Sequence, residues 1–165
     1  MRTPRQIITL YSQPVMRLNQ TTRFYVDRGS NNMAKPHFSS LRMDWRTPKA
    51  VYQVLDSEFQ FDHDPCPANW DGKVDGLTSD WGGTNYVNPP YGRELPKWIE
   101  KGYREWQKGK TVVFLIPSRT DTRWWHDYCM KATEIRYIKG RLKFDDQPNP
   151  APFPSAIVIF KGNIN

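Results

Sequence analysis

The sequence contains few of the residues that build disulfide frameworks and metal sites. Its 165 residues include two cysteines, Cys66 and Cys129, and three scattered histidines. Two cysteines this far apart predict neither a disulfide framework nor a zinc site, and the histidines lack ligand spacing. The longest apolar run, residues 112–116, is far too short to span a membrane. No charged-then-apolar signal sequence opens the chain. We therefore expect a cytoplasmic protein without a metal.

Basic charge is abundant but unevenly distributed. The formal net charge is +7. Residues 45–92 carry three basic and seven acidic side chains, whereas residues 93–143 carry thirteen basic and six acidic ones. An acidic segment followed by a basic one suits a cationic ligand bound beside a polyanion. Solvated helix faces give a similar distribution, so charge alone leaves both interpretations open.

Two regions differ in their apolar pattern. Residues 1–43 are rich in Arg, Asn, Gln and Ser without a sustained apolar period, which predicts a disordered basic arm. Residues 44–165 are expected to form one domain. In that domain Thr47 is predicted as a helix N-cap followed by Pro48 in the first turn. Helical spacing also recurs from Leu95 to a stop near Gly109, and over residues 121–131.

Short apolar runs alternate with these helices. They predict strands over residues 59–62, 85–87, 111–116, 134–138 and 156–160, and the third is typical of a buried parallel strand. This alternation predicts an open α/β sheet. Ligands of such sheets bind at the carboxyl ends of the strands, where two proline-rich loops follow predicted strands. The loops are Asp64-Pro65-Cys66-Pro67 and Asn88-Pro89-Pro90-Tyr91.

The second loop matches the (Asp/Asn/Ser)-Pro-Pro-(Tyr/Phe) loop of enzymes that methylate amino groups. An aromatic amine such as adenine N6 is a poor nucleophile because its lone pair is delocalised into the ring. Two acceptors, the Asn88 side-chain carbonyl and the Pro89 backbone carbonyl, would localise that pair and stabilise the developing positive charge. Pro89 and Pro90 remove backbone donors and hold these acceptors in place beforehand.

Tyr91 completes the loop. Its face is expected to stack on a base flipped out of the duplex, worth roughly 1–3 kcal/mol. The alternative is a Pro-Pro turn in which Tyr91 serves only for packing.

Several motifs resemble the small phage-type DNA N6-adenine methyltransferases, often called Dam-like, over residues 44–161. They are Trp45-x-Thr47-Pro48, Phe61-Asp62-x-Asp64-Pro65-Cys66, Asp75-Gly76-Leu77-x-x-Asp80-Trp81, Asn88-Pro89-Pro90-Tyr91-Gly92, Ile116-Pro117-x-Arg119-Thr120-Asp121-Thr122 with Trp125-His126, Gly140-Arg141-Leu142-x-Phe144 and Pro154-Ser155-Ala156. The resemblance implies a compact Rossmann-like class I S-adenosylmethionine-dependent methyltransferase sheet without a separate target-recognition domain. It also implies a phage or prophage origin, action in the bacterial cytoplasm and a protective role against restriction.

S-adenosylmethionine is the cofactor that this resemblance implies. Asp64 resembles the acid facing its methionine end, Thr47-Pro48 the segment that closes over it, and Asp80-Trp81 the residues that hold its adenine. The expected cofactor contacts are Trp45, Thr47, Pro48, Asp64, Pro65, Asp80 and Trp81. The chain departs from the wider pattern because no G-x-G loop follows Asp64. The segment before Asn85 also has no room for two crossover units of about 30 residues each, so the strand with a ribose-binding acid is shortened or missing.

DNA is the expected partner. The basic residues predicted to contact it are Arg93, Lys97, Arg119, Arg123, Arg141 and Lys143, with Arg119 the first choice for a phosphate contact. Sequence choice is expected to come from short loops such as residues 145–152, or to be loose. A methyltransferase acting on RNA or a protein amide, and an inactive DNA-binding relative, remain alternatives. The oligomeric state is not predicted.

Overall fold

The computed structural model of the chain describes residues 10–14, 45–69, 71–145 and 147–163. The elements in chain order are β1 (Leu10–Pro14), α1 (Lys49–Phe59), β2 (Thr84–Val87), α2 (Leu95–Gln107), β3 (Thr111–Pro117), α3 (Arg123–Asp127), a short 3-10 helix (Cys129–Lys131), β4 (Glu134–Ile138) and β5 (Ser155–Phe160). The last four predicted strands and the helix that stops before Gly109 are confirmed. No helix in the described ranges is long and apolar enough to cross a membrane.

The strands form one mixed sheet in the order β1-β4-β5-β3-β2. Among the described strands β2 and β3 pair in parallel, whereas β5 runs antiparallel to both β3 and β4. The α/β class is confirmed, but the parallel surroundings predicted for β3 hold only on its β2 side. Strand β5 lies between β3 and β4 and runs opposite to both, so β2, β3 and β4 point the same way and their carboxyl ends lie together at one end of the sheet. We call this end the carboxyl edge; it carries the loops of residues 88–94, 118–122 and 139–145.

Both faces of the sheet are covered by apolar side chains. Along β3, Val112, Phe114 and Ile116 belong to the core cluster that contains the apolar residues of α2 and α3. Val113 and Leu115 belong to the cluster on the α1 side. A strand buried on both faces needs apolar residues at every position, which explains the continuous apolar run in this segment.

The end of α2 carries a buried ion cluster. Glu105 has no exposed surface, and its carboxylate lies 2.8 Å from Lys101 Nζ, 2.8 Å from Lys108 Nζ and 2.6 Å from Lys110 Nζ. Burial raises the pKa of Glu105, but hydrogen bonds from the three lysines outweigh it and lower the pKa to about 2. The cluster therefore joins the last turns of α2 to the start of β3.

The strand predicted over residues 59–62 is wrong. Helix α1 continues to Phe59 and ends at Gln60, whose φ of 53° is left-handed. Asp56 closes this end, because its carboxylate accepts the backbone N–H of Phe61 at 3.0 Å. The segment meets β2 through Asp62, whose backbone N–H donates to the Thr84 carbonyl at 3.0 Å, and through His63, which forms an isolated parallel bridge to Asn85.

Two further expectations differ from the structure. The helix predicted over residues 121–131 is split into α3 and the 3-10 helix. The predicted basic arm lies outside the described residues except for β1, which pairs antiparallel with β4. Those five residues pair with the open backbone donors and acceptors of β4, and disorder of the arm stays a prediction.

Candidate functional site

A cavity of about 710 Å³ lies at the carboxyl edge of the sheet. It is lined by the start of α1, the loop after His63, the end of β2 and one residue of α2. Its acidic side chains are Asp64 and Asp75, its basic ones Arg46 and Lys49, and its aromatic ones Trp45, Tyr52, Tyr86 and Trp98. Acids and aromatic faces around one space suit an organic cation.

Asn88 comes directly after β2 and lines this cavity. Its side-chain Nδ2 donates to the backbone carbonyl of Trp45 and, at 2.9 Å, to the hydroxyl of Thr47. A backbone carbonyl only accepts hydrogen bonds, so the amide nitrogen of Asn88 must face Trp45. This requirement fixes the orientation of the amide and leaves its oxygen on the side of Tyr91.

Tyr91 does not line the cavity. Its hydroxyl lies 2.7 Å from Asn88 Oδ1 and 2.9 Å from the backbone oxygen of Leu115. The ring meets those of Phe144 and Phe153 edge to face, at centroid distances of 6.1 Å and 5.6 Å. Burial raises the pKa of Tyr91 well above its usual value, so the hydroxyl keeps its proton. The ring is thus packed and the hydroxyl holds Asn88, while stacking on a base stays a prediction.

Asp64 is brought to Asn88 because the bridge at His63 runs parallel to β2. Its carboxylate accepts the backbone N–H of Cys66 at 3.0 Å, and the Cys66 thiol also donates to it. Burial raises the pKa of the Asp64 carboxyl and of the Cys66 thiol. Cys66 lines the same cavity as Asp64 and Asn88, a placement that no sequence signal indicated.

The structure brings part of the predicted cofactor set to the cavity. Trp45, Thr47, Asp64 and Pro65 line it. Pro48 is buried at the start of α1 and does not.

The Asp80-Trp81 pair also lies away from the cavity. Asp80 is exposed and lies 3.4 Å from Lys108 Nζ, and Trp81 is buried with its indole N–H on the carbonyl of Gly76 at 2.7 Å. Trp98, stacked on Trp81 with centroids 6.3 Å apart, lines the cavity instead.

The prediction that Thr47 caps α1 is wrong. Pro48 occupies the N-cap position without a side-chain cap, and the first backbone N–H, that of Lys49, donates to Asp145 Oδ2 at 2.9 Å. The Thr47 hydroxyl instead contacts Asn88 Nδ2 and lies 2.7 Å from the hydroxyl of Tyr86.

The predicted cofactor contacts did not include Asp75 or several aromatic residues that line the cavity. Asp75 caps a turn by accepting the N–H of Leu77 at 2.9 Å and also lines the cavity. The missed aromatic residues are Tyr52, Tyr86 and Trp98. Each lies in a helix or strand whose apolar period predicted core packing. The neighbouring residues in the sequence do not show that these side chains lie where the core borders the cavity.

The six predicted DNA contacts are all exposed. They lie on the carboxyl-edge loops or at the starts of α2 and α3. Lys97 pairs with Glu94 at 2.9 Å, and Arg123 with Asp127 at 3.0 Å. Three others form no ion pair with any residue that the structure describes: Arg93, Arg141 and Lys143. Unpaired cations around one edge suit a polyanionic surface.

Within the same described ranges, no three His, Cys, Asp or Glu side chains are grouped to hold a metal ion. The site consists of a cavity lined by acidic and aromatic side chains, an oriented amide at its wall, and exposed cations around the carboxyl edge.

Comparison with known proteins gives two matches. The family model described as DNA N-6-adenine-methyltransferase (Dam) matches residues 36–160. A DNA N-6-adenine-methyltransferase of Haemophilus phage HP1 (strain HP1c1) is 32% identical over 138 residues, which cover 71% of this chain and 78% of that relative. No solved structure matches the chain.

Proposed function

Because this chain belongs to the DNA N-6-adenine-methyltransferase (Dam) family, we propose that it transfers a methyl group from S-adenosylmethionine to the N6 of an adenine flipped out of DNA. One observation carries the proposal most directly: Asn88, the predicted acceptor for the amino group, lines the same cavity as the half-buried acid Asp64. We further propose that the mixed sheet is a shortened Rossmann-like class I sheet.

The residues of the cavity fit S-adenosylmethionine. The bound donor supplies an electrophilic methyl group on a sulfonium. The Asp64 carboxylate matches the charge of its ammonium group, and Arg46 or Lys49 matches that of its carboxylate. The faces of Trp45 and Trp98 suit its sulfonium and its adenine. We therefore assign the contact with the donor's adenine, predicted for Asp80 and Trp81, to Trp98.

The target amino group is proposed to meet two acceptors. Asn88 Oδ1 has a second lone pair besides the one directed at Tyr91. The backbone oxygen of Pro89 accepts no hydrogen bond from any residue that the structure describes. Both oxygens therefore have acceptor capacity for the two N–H bonds of adenine N6. Acceptors oriented before the reaction stabilise the charge that develops on nitrogen without reorganising.

DNA is proposed to bind across the carboxyl edge. Arg119 follows β3 at this edge and stays the first candidate for a phosphate contact. Arg93, Arg141 and Lys143 surround the same edge, while Lys97 and Arg123 already have carboxylate partners and are proposed to contribute less. Extrusion of the adenine costs a few kcal/mol, which backbone contacts of this kind help to offset.

Methyl transfer to three polymers tests the proposal. The protein is incubated with labelled S-adenosylmethionine and unmethylated DNA, RNA or protein, and the label is followed in each. We expect label in DNA, and none with an Asn88→Ala variant that still folds and binds the donor. Label confined to RNA or protein would assign the site to those substrates. Failure of the folded wild-type protein to bind the donor would instead indicate an inactive DNA-binding relative.

A further inference from the structure

We propose that Thr47 is a positioning residue for the methyl transfer: the Trp45 carbonyl requires the amide nitrogen of Asn88 to face residues 45–47, and the Thr47 hydroxyl holds the amide in that place by accepting its other N–H. The inference rests on the proposed function. It replaces the helix-cap role expected for Thr47 by one that acts through Asn88, while Thr47 still lines the cavity.

The observation behind it is a chain of side-chain hydrogen bonds at the cavity wall. Asn88 Nδ2 donates to Thr47 Oγ1 at 2.9 Å, and Thr47 Oγ1 lies 2.7 Å from the hydroxyl of Tyr86. Tyr86 is 2% exposed and lies within β2, so its hydroxyl is held in one position and in turn holds the hydroxyl of Thr47. The second N–H of Asn88 is taken by the Trp45 carbonyl. Both donors of the amide are thus satisfied by residues 45–47.

The orientation matters because a side-chain amide has two ends of opposite character. Rotating the Asn88 amide by half a turn would direct Oδ1 at the Trp45 carbonyl, two acceptors with no proton between them. The same rotation would present N–H donors where the substrate's own N–H groups need an acceptor. The terminal torsion of asparagine is broad and roughly two-fold, so it does not select an orientation by itself.

Thr47 is free for this role because the start of α1 is capped from elsewhere. Asp145 accepts the N–H of Lys49 at 2.9 Å, a contact across 96 positions of the sequence. Residues 45–47 also line the cavity. The segment that contacts the occupant of the cavity is therefore the one that orients Asn88.

The test compares Thr47→Val, which keeps the shape and removes the hydroxyl, with Thr47→Ser, which restores the hydroxyl. For Thr47→Val we expect kcat to fall roughly 5–30-fold, the effect of losing one positioning hydrogen bond. Donor Kd and the KM for DNA should stay within about twofold of the wild-type values. Thr47→Ser should recover most of kcat.

A matched control separates positioning from loss of stability. Thr133, before β4 at the opposite edge, accepts the backbone N–H of Lys161 at 2.9 Å through its hydroxyl. Thr133→Val makes the same substitution, removes one exposed hydrogen bond away from the site and should leave kcat unchanged. A Thr47→Val variant with kcat within twofold of wild type, or with the loss confined to donor Kd, would overturn the positioning role.

A second readout does not depend on activity. The side-chain amide protons of Asn88, assigned in ¹⁵N spectra by their absence in Asn88→Ala, should shift upfield in Thr47→Val and return in Thr47→Ser. An unshifted amide overturns the inference whether or not the wild-type protein methylates DNA. A shifted amide together with a wild-type protein that transfers no methyl group to DNA overturns the proposed function instead.

Discussion

Tyr91 has two roles, packing through its ring and hydrogen bonding through its hydroxyl, and removal of the hydroxyl oxygen separates them. Its ring packs between Phe144 and Phe153, while its hydroxyl lies 2.7 Å from Asn88 Oδ1. Tyr91→Phe keeps the ring and deletes the hydroxyl. If the hydroxyl holds the Asn88 oxygen in place, this variant loses catalytic rate. If the residue acts only through its ring, the variant keeps the rate.

The size of the effect follows from the contacts. The Tyr91 hydroxyl is buried and within hydrogen-bonding distance of two acceptors, although it has a single proton to donate. Losing this donor should lower the free energy of unfolding by about 1–2 kcal/mol. If a similar amount is lost from the transition state, kcat falls roughly 5–30-fold. The KM for DNA should stay near the wild-type value because the ring is unchanged.

The assay is single-turnover methyl transfer to saturating DNA, combined with urea unfolding of the same samples. Tyr91→Ala serves as the comparison, since it also removes the ring and should cost about 3–5 kcal/mol of stability. A Tyr91→Phe variant that is destabilised as expected but transfers methyl at the wild-type rate would refute the role given to the hydroxyl.

Three further predictions concern the ion cluster, the basic edge and the acid of the cavity. Glu105→Gln should lower the free energy of unfolding by about 1–3 kcal/mol at neutral pH. The pKa of Glu105 is lowered from 4.5 to about 2, so the difference in stability between wild type and variant should shrink as pH falls through that interval, as measured by urea unfolding. Replacing Arg141 and Lys143 by Gln should weaken DNA binding and reduce the slope of log Kd against log salt by about 2 if both contact phosphates, as measured by fluorescence anisotropy. Asp64→Asn should weaken donor binding roughly 10–100-fold by calorimetry. Wild-type affinity should also fall on acidification, because burial raises the pKa of Asp64 and a cation prefers the ionised form, whereas Asp64→Asn should lack this dependence.

The parts of the fold that could be predicted are those set by local pattern. The apolar run of β3 and the proline loop after β2 each follow from a few neighbouring residues. The direction of β5 could not be predicted, because a short apolar run of residues is compatible with both parallel and antiparallel pairing. The strand expected over residues 59–62 failed for a related reason, since short apolar segments do not distinguish a helix end from a strand.

The residues of the candidate site likewise divide into those that a local sequence pattern predicts and those that depend on three-dimensional placement. Asn88 and Asp64 could be predicted because each lies in a proline-rich loop after a predicted strand, although the strand expected before Asp64 is only a bridge at His63. Thr47 was misassigned because the capping rule is local, whereas the actual cap, Asp145, comes from a loop 96 positions away. Trp81 was predicted from the resemblance, but the ring that lines the cavity is that of Trp98, which stacks on Trp81, and this placement is visible only in three dimensions.

The position of the transferred methyl group tests the central claim most directly. DNA is incubated with the protein and donor carrying a deuterated methyl group, digested to nucleosides and analysed by mass spectrometry. We predict deuterated N6-methyladenine with the wild-type protein and none with Asn88→Ala. Label on the exocyclic amine of cytosine, no label in DNA, or equal label with Asn88→Ala would contradict the account.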